Sequence, residues 1–201
     1  GIVHGDLKPE NVMLRQDGSA VIIDFGLASR HSGTVLGGTA QYMAPELFVP
    51  PYRSDVRSDL YSLGMTLYEA AVGTAGIQEI FPGLSDSGGP ARDHFWQTWA
   101  VDRTTAPVPV DRIHPDIAER LALLIGDLMA KSPGDRPSSA AVASARLAES
   151  APMGGPPQSA ATRSRVSHRR SNNGQAAWSS KPWQGLASVR CRPRVRAIQR
   201  R

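Results

Sequence analysis

The chain has 201 residues, a formal net charge of +5 and one cysteine. This length suits one domain of ordinary size with an additional segment, and a single cysteine excludes an internal disulfide framework. Residues 1–150 carry 12 basic and all 18 acidic side chains, a net charge of −6, whereas residues 151–201 carry 11 basic side chains and no acid. The overall positive charge therefore describes the C-terminal segment alone.

The first element is a loop, His4–Asn11, whose polar residues suit phosphoryl transfer. That reaction needs a carboxylate to orient an attacking hydroxyl and accept its proton, and oxygen ligands to hold magnesium on the phosphates. Asp6 is the candidate carboxylate, Lys8 a cation for the transferring phosphate, and Asn11 an oxygen ligand. Pro9 biases Lys8 away from helix, as in a rigid loop. Taken alone, the loop is equally compatible with an ordinary turn.

A β-hairpin is predicted directly after this loop. Two short apolar stretches, residues 12–14 and 20–23, flank a turn that contains Asp17-Gly18, which is a strong hairpin signal. A hairpin brings its ends together, so Asn11 and Asp24 are expected to lie side by side as an oxygen site for Mg²⁺. One or two protein ligands suffice for this ion where a nucleotide supplies phosphates.

Five motifs in chain order resemble those of the eukaryotic-type serine/threonine protein kinases. They are His4–Asn11, Asp24–Gly26, Gly38–Glu46, Ser58–Gly64 and Asp135–Pro137. The resemblance covers roughly residues 1–150 and implies a mostly α-helical C-terminal kinase lobe with a small β-hairpin beside the catalytic loop. It implies transfer of the γ-phosphate of ATP, with Mg²⁺, to Ser or Thr hydroxyls of protein substrates.

The resemblance also implies roles for individual residues. The implied catalytic residues are Asp6, Lys8, Asn11 and Thr39. The residues implied for cofactor binding are Lys8, Asn11, Met13 and Asp24, of which Asn11 and Asp24 bind the metal. The implied structural residues are His4, Phe25, Glu46, Asp59 and Arg136.

The structural roles are implied contacts. His4 packs under Phe25, and Asp59 turns onto backbone N–H groups of the catalytic loop. Glu46 pairs with Arg136 and so clamps the activation segment, residues 24–46, to the lobe. The Thr39 hydroxyl bonds the catalytic aspartate and lysine, which favours Ser/Thr over Tyr substrates.

Gly5 is the sharpest departure from the family pattern, because many relatives carry arginine there. That arginine receives an activation-segment phosphate through charge-assisted bonds. Glycine cannot, so phosphorylation of Ser29, Ser32 or Thr34 is not expected to be required for activity.

Helical periodicity predicts three helices further along the chain, at residues 57–72, 116–130 and 138–149. The first is buried on most sides, and Ser138 is the expected N-cap of the last. Three aromatic residues at helical spacing, Phe95, Trp96 and Trp99, are expected in the core or on a docking surface rather than in a ligand cage.

The two ends of the chain give further expectations. Only three residues precede His4, so we expect the N-terminal lobe, with its glycine-rich loop and strand lysine, to be absent. The chain is then an inactive fragment whose partner is that missing lobe. Residues 151–201, rich in Pro, Gly, Ser and Arg, are expected to form a disordered, solvated tail; contact with nucleic acid or anionic lipid is the alternative. No signal peptide or membrane span is seen, so a cytoplasmic location is expected.

Two other functions are compatible with parts of this pattern. A small-molecule phosphotransferase of the aminoglycoside type also carries His-Gly-Asp in its catalytic loop, as at His4–Asp6. The Asp24–Gly26 and Ala44–Glu46 motifs and Asp59 argue against it. A non-catalytic docking module derived from a kinase lobe is the other alternative.

Overall fold

The structure, a computed structural model, describes residues 2–27, 38–84 and 89–148. Within these residues a two-stranded antiparallel sheet comes first and α-helices follow. This order agrees with the predicted mostly helical fold and its small hairpin. The C-terminal tail 151–201 and the candidate phosphorylation sites Ser29, Ser32 and Thr34 lie outside the described residues.

The hairpin consists of β1 (Val12–Leu14) and β2 (Ala20–Ile22). In its register Val12 is opposite Ile22 and Met13 is opposite Val21. The predicted turn closes through Asp17, whose carboxylate accepts bonds from the backbone and hydroxyl of Ser19 at 2.9 and 2.7 Å. Beyond the strands, the backbone N–H of Ile23 donates to the carbonyl of Asn11 at 2.9 Å. The hairpin therefore holds the end of the loop His4–Asn11 beside the residues that precede Asp24.

The helices are α1 (Val56–Ile80), α2 (Pro90–Val101), α3 (Val110–Ile113), α4 (Glu119–Leu128) and α5 (Ala140–Ala148). Short 3₁₀ turns lie at Pro9–Asn11, Ala40–Tyr42, Pro45–Leu47, Pro82–Leu84 and Pro133–Asp135. In the part of the chain that the structure describes, no helix is both long and apolar enough to cross a membrane. The last two helices are shorter than their periodicity predicted.

Helix α1 begins with a capping box that the sequence analysis missed. The Asp55 carboxylate accepts from the backbone N–H of Arg57 at 2.7 Å, and the Ser58 hydroxyl accepts from the backbone N–H of Asp55 at 3.2 Å. The predicted helix 57–72 ends where the structure places Gly73 in a non-helical conformation, with φ 75° and ψ 163°. This φ favours glycine. Helical structure then resumes to Ile80, which the periodicity did not indicate.

Helix α5 is capped by Ser139, so the prediction of Ser138 was wrong. The hydroxyl of Ser139 accepts a bond from the backbone N–H of Val142 at 3.2 Å, and the Ser139 carbonyl accepts from Ala143. A bond from the N–H three residues ahead to a serine side chain is the one expected of an N-cap residue. Ser138 and Ser139 are both suitable N-cap residues, so the sequence alone did not show which of them caps α5.

The main core lies around α1, where Tyr61, Met65 and Tyr68 are almost fully buried. α1 and α4 pack closely at Gly64, because a Cβ atom there would lie only 2.8 Å from the Cβ of Leu128. The predicted aromatic residues join this core: the rings of Phe81, Phe95, Trp96 and Trp99 meet edge to face, with centroids 5.0–6.5 Å apart. Such tilted pairs stabilise a packed interior, which agrees with a core role.

Lys131 borders this aromatic cluster. Its ammonium lies 3.3 Å from the centroid of the Trp99 ring and donates to the Trp99 carbonyl at 2.7 Å. Burial lowers the pKa of Lys131 to about 8, although the charge of Asp102 opposes that change. The ring and the carbonyl favour the ammonium, and loss of water disfavours it more strongly.

We predict a pH-dependent contribution of Lys131 to stability. Between pH 8 and 10.5 the unfolded chain keeps a proton that the folded chain has lost, so this contribution is full above about pH 10.5 and is lost as the pH falls to about 8. Urea unfolding across this range should therefore give free energies of unfolding for the unchanged protein and for Lys131→Met whose difference varies with pH. A difference that is constant from pH 7 to 11 would contradict the low pKa.

Candidate active site

Asp6, Lys8 and Thr39 form one hydrogen-bonded cluster. Lys8 Nζ donates to Asp6 Oδ2 at 2.7 Å and to the Thr39 hydroxyl at 2.9 Å. Asp6 Oδ1 accepts the backbone N–H of Thr39 at 3.0 Å and lies 3.4 Å from its hydroxyl. Lys8 is extended, with φ −157° and ψ 167°, as Pro9 after it requires. The cluster leaves a carboxylate, an ammonium and a hydroxyl together at a partly exposed position.

Asn11 is buried, and its two side-chain atoms can be told apart. Its amide nitrogen donates to the carbonyl of Asp6 at 2.8 Å. A carbonyl only accepts, so the atom facing it must be the NH₂ group. The amide oxygen is therefore the atom of Asn11 that is left to serve as a metal ligand.

Asp24 lies in the left-handed region, with φ 60°, which is uncommon outside glycine but tolerated by Asp. Its carboxylate is exposed and accepts the backbone N–H of Gly26 at 3.3 Å. Among the described residues there is no group of three or more His, Cys, Asp or Glu that could hold a metal. The magnesium site predicted at Asn11 and Asp24 would therefore need further ligands from a nucleotide.

His4 makes hydrogen bonds through both ring nitrogens. Nδ1 accepts the backbone N–H of Asp6 at 3.3 Å, and Nε2 lies 3.0 Å from the carbonyl of Ile23. Since a carbonyl only accepts, Nε2 carries the proton and the ring is the neutral Nε2–H tautomer. The His4 ring is buried and its centroid lies 4.9 Å from that of Phe25. His4 thus links the loop at Asp6 to the end of the hairpin.

Asp59, in the first turn of α1, binds the backbone of the loop His4–Asn11. Its Oδ2 accepts the backbone N–H of His4 at 2.7 Å, and its Oδ1 accepts that of Gly5 at 3.0 Å. Burial raises the pKa of Asp59, whereas these two backbone bonds lower it. Gly5 has φ 82°, and a Cβ atom there would lie 3.2 Å from the carbonyl oxygen of Leu27.

Arg136 uses all five of its N–H donors. Two bonds of 2.8 Å form a fork on the carboxylate of Glu46, and the other three reach the carbonyls of Arg57, Ala130 and Lys131. The Arg136 side chain is completely buried, and its guanidinium lies 5.0 Å from the Tyr61 ring. This planar, bidentate geometry is one that lysine cannot reproduce. Glu46 is thereby tied to the residues that follow α4 and to α1.

Sequence reasoning missed a second polar network, around Glu69 of α1. Glu69 Oε2 accepts from the Tyr42 hydroxyl at 2.5 Å and from the Gln41 amide at 2.7 Å. Burial and the neighbouring Glu69 raise the pKa of Tyr42. The one available signal was an acidic residue within the apolar pattern of α1. Two further serines of α1 face the same segment: Ser62 donates to the Tyr42 carbonyl and Ser58 to Glu46, each at 2.8 Å.

The remaining predicted residues, Met13 and Phe25, are about half exposed at 47% and 54%. They lie on the hairpin and just after it, near other exposed apolar side chains, Leu14, Ile22 and Leu27. The roles predicted for Met13 beside ATP and for the other site residues stay predictions.

A family model described as "Protein kinase domain" matches residues 1–147. The chain is 33% identical over 150 residues to serine/threonine-protein kinase PknB of Mycolicibacterium smegmatis, an alignment covering 70% of this chain and 22% of the relative. It is 35% identical over 142 residues to PknL of Mycobacterium tuberculosis, covering 68% and 32%, and 35% identical over 164 residues to pkn3 of Myxococcus xanthus, covering 73% and 27%. It therefore spans between a fifth and a third of these relatives.

Asp59→Asn should loosen the catalytic loop. An amide offers one acceptor, so one of the N–H groups of His4 and Gly5 would face an NH₂ group, at a cost of about 1–3 kcal/mol. Amide hydrogen exchange should show faster exchange at both positions, while Asp116→Asn, an exposed matched change, should leave it unaltered. Equal protection in the two variants would remove Asp59 from this role.

Arg136→Ala should destabilise the protein by about 3–5 kcal/mol in urea unfolding, because it leaves the Glu46 carboxylate without its buried partner. Arg146→Ala is the matched control. It breaks an ion pair with Asp127 in which both side chains are more than 40% exposed, so it should cost no more than about 1 kcal/mol. Similar losses in the two variants would contradict the importance of the buried pair.

Proposed function

The chain belongs to the protein kinase family, and on that premise we propose that the protein transfers the γ-phosphate of ATP to serine and threonine hydroxyls of proteins. The observation that carries the proposal is the Asp6–Lys8–Thr39 cluster. The names of the similar proteins, all serine/threonine-protein kinases, support it.

Asp6 acts on the acceptor hydroxyl in this proposal. Its carboxylate can accept the hydroxyl hydrogen bond, which turns the oxygen lone pair towards the phosphate, and it takes the proton as the new O–P bond forms. The backbone N–H of Thr39 and the ammonium of Lys8 fix both oxygens of the carboxylate. Positioning of this kind supplies much of the rate in phosphoryl transfer.

Lys8 and Thr39 have electrostatic and orienting roles. The Lys8 ammonium bonds the Asp6 carboxylate, and in this proposal that carboxylate binds the acceptor hydroxyl. The charge of Lys8 therefore lies beside the reacting groups and can also stabilise negative charge on the transferred phosphate. The Thr39 hydroxyl accepts from Lys8 and is therefore left with its own proton to donate towards Asp6. A phosphoacceptor approaching this cluster meets Thr39 on the activation segment, which supports Ser/Thr selectivity.

The residues present fit a magnesium–nucleotide complex. Asn11 has its amide oxygen available because the NH₂ group is used on Asp6, and Asp24 has an exposed carboxylate; oxygen ligands of this kind suit Mg²⁺. These two residues would hold the ion, and Met13 would contact the adenine. When bound, the ion neutralises charge on the phosphates and so favours attack by the hydroxyl.

We assign residues 1–150 to the C-terminal lobe of the kinase fold. Apolar side chains on and just after the hairpin are about half exposed: Met13, Leu14, Ile22, Phe25 and Leu27. Their exposure supports a covering partner at the hairpin, because burying apolar surface against a partner is favourable. The proposed partner is an N-terminal lobe that cradles the phosphates. A cytoplasmic location remains part of this proposal.

The two alternatives gain less support. The match to the protein kinase family favours a protein over an aminoglycoside as acceptor. The arrangement of Asp6, Lys8 and Thr39 favours catalysis over docking alone, since a docking module has no need of a fixed carboxylate.

Asp6→Asn should abolish phosphoryl transfer, because an amide keeps the shape of the side chain but cannot take the proton. The measurement is radiolabel incorporation into a generic basic protein by the full-length gene product that contains this chain. Asp116→Asn, at an exposed position outside the cluster, should retain activity. Turnover by Asp6→Asn close to that of the unchanged protein would exclude Asp6 as the base.

Asp24→Asn should raise the magnesium concentration needed for half-maximal activity in the same assay, because a neutral amide is a weaker ligand for a hard cation. Asp17→Asn, in the hairpin turn, is a suitable control, since its carboxylate bonds Ser19. An unchanged magnesium titration for Asp24→Asn would argue against this metal site.

A further inference from the structure

Lys131 joins two parts of the fold, the C-terminal end of α2 and the segment that follows α4. Its Nζ atom donates to the Trp99 carbonyl at 2.7 Å and lies 3.3 Å from the centroid of the Trp99 ring. Lys131 is partly buried, so reagents in solution still have access to it. The chain has only three lysines, Lys8, Lys131 and Lys181, and a reaction at this position can therefore be followed residue by residue.

The contacts of Lys131 leave the lone pair of its neutral amine free. One N–H of that amine points to the Trp99 carbonyl and a second faces the ring, and both of these partners accept hydrogens. Among the described residues no donor bonds Nζ and no carboxylate forms an ion pair with it, whereas Lys8 is paired with Asp6. The lone pair thus has the third direction at nitrogen to itself.

The local electrostatics favour this neutral form. Burial lowers the pKa of Lys131 to about 8; the charge of Asp102 opposes that change and the charge of Arg136 adds to it. At pH 7.5 about a quarter of the Lys131 side chains are then uncharged, compared with about a thousandth for an ordinary lysine. A desolvated, uncharged lysine is the form that attacks electrophiles.

We propose that Lys131 is a modification site, acylated by small acyl phosphates or acyl thioesters. The nitrogen lone pair attacks the carbonyl carbon of the donor and forms an N–C bond. The C–O bond to phosphate, or the C–S bond to the thiol, breaks, and the leaving group takes that electron pair. The extra proton on nitrogen goes to solvent, and the product is a neutral amide. No electrons are exchanged with an oxidant or a reductant.

The modification would weaken a connection within the fold. Acylation removes the charge of a lysine and with it the cation–π contact, here the one on Trp99. The added acyl group also has to fit where Nζ already touches a ring and a carbonyl. The backbone carbonyl of Lys131 accepts from Arg136 at 3.3 Å. Acylation would therefore loosen the end of α2 from the segment that binds Arg136.

The test follows acetylation of the intact 201-residue chain by acetyl phosphate at pH 7.5, with mass spectrometry of each lysine. We expect Lys131 to react about tenfold faster than Lys181. Its uncharged fraction is about a hundredfold greater, and the lower intrinsic nucleophilicity of a less basic group offsets part of this advantage. In concentrated guanidinium chloride, where the fold is lost, both lysines should react at similar rates.

Two donors identify the source of the acyl group. A parallel reaction with acetyl-coenzyme A shows whether a thioester or an acyl phosphate is the better donor, and reaction with either supports the proposal. Acetylation of Lys131 that is no faster than that of Lys181 in the folded chain, with both donors, would overturn it. Neither ATP nor phosphoryl transfer is involved, so this outcome is independent of the proposed function.

A charge variant tests the electrostatic basis. Asp102→Asn should increase the acetylation rate of Lys131 about twofold or more, because it removes the charge that raises the pKa of this lysine. The amide oxygen of asparagine can still accept the two bonds from Thr104. Asp116→Asn, at an exposed position, is the matched control and should leave the rate unchanged. Equal rates in the two variants would contradict the assignment.

The structural consequence has its own readout. The backbone N–H of Asp102 donates to the Thr98 carbonyl at the end of α2 at 3.2 Å. Its hydrogen exchange should become several-fold faster in the acetylated protein and in Lys131→Gln, whose neutral amide resembles acetyl-lysine. Lys131→Arg keeps a cation that can stack on the ring and should preserve the protection. Equal exchange in the Gln and Arg variants would exclude the proposed loosening of α2.

Discussion

The candidate site depends on one partly buried carboxylate, that of Asp59. It accepts the backbone N–H groups of His4 and Gly5, and burial raises its pKa in spite of these bonds. Burying a carboxylate is costly unless the charged form receives hydrogen bonds. Here those bonds fix His4 and Gly5, the two residues that precede Asp6. The His4 ring in turn bonds the backbone N–H of Asp6 and the carbonyl of Ile23 at the end of the hairpin. A single side chain of α1 thus positions both Asp6 and the end of the hairpin that precedes Asp24.

The adjacent residue of α1 performs a similar task for the activation segment. Ser58 donates to Glu46, which Arg136 holds through two parallel bonds. The capping box at Asp55 fixes the first turn of α1. Ser58 and Asp59 therefore make their contacts from a rigid position. α1 therefore serves as the common support on which the catalytic loop and the end of the activation segment meet, and Thr39 reaches Asp6 as a result.

Features of this fold that depend on neighbouring residues could be predicted from the sequence. Features that depend on contacts between distant residues could not. Asp17-Gly18 indicated the hairpin, and apolar periodicity indicated α1, α4 and α5, because both signals lie within a few residues; α2 and α3 were not predicted. The break at Gly73 depends on a backbone conformation that an isolated glycine does not reveal. The Glu69 network joins residues 27 and 28 positions apart, and nothing local marks that pairing. Family resemblance supplied the distant contacts that were expected, such as that of Asp59 with the loop.

We propose that this support by α1 brings one acceptor base, Asp6, and two metal ligands, Asn11 and Asp24, to a common site. A crystal structure of the full-length protein with Mn²⁺ in place of Mg²⁺ and a non-hydrolysable ATP analogue tests it most directly. We expect an anomalous manganese peak bonded to the amide oxygen of Asn11 and the carboxylate of Asp24, with the terminal phosphate facing Asp6 and Lys8. A manganese ion bound to other side chains, or an Asp6 carboxylate turned away from the phosphate, would contradict it.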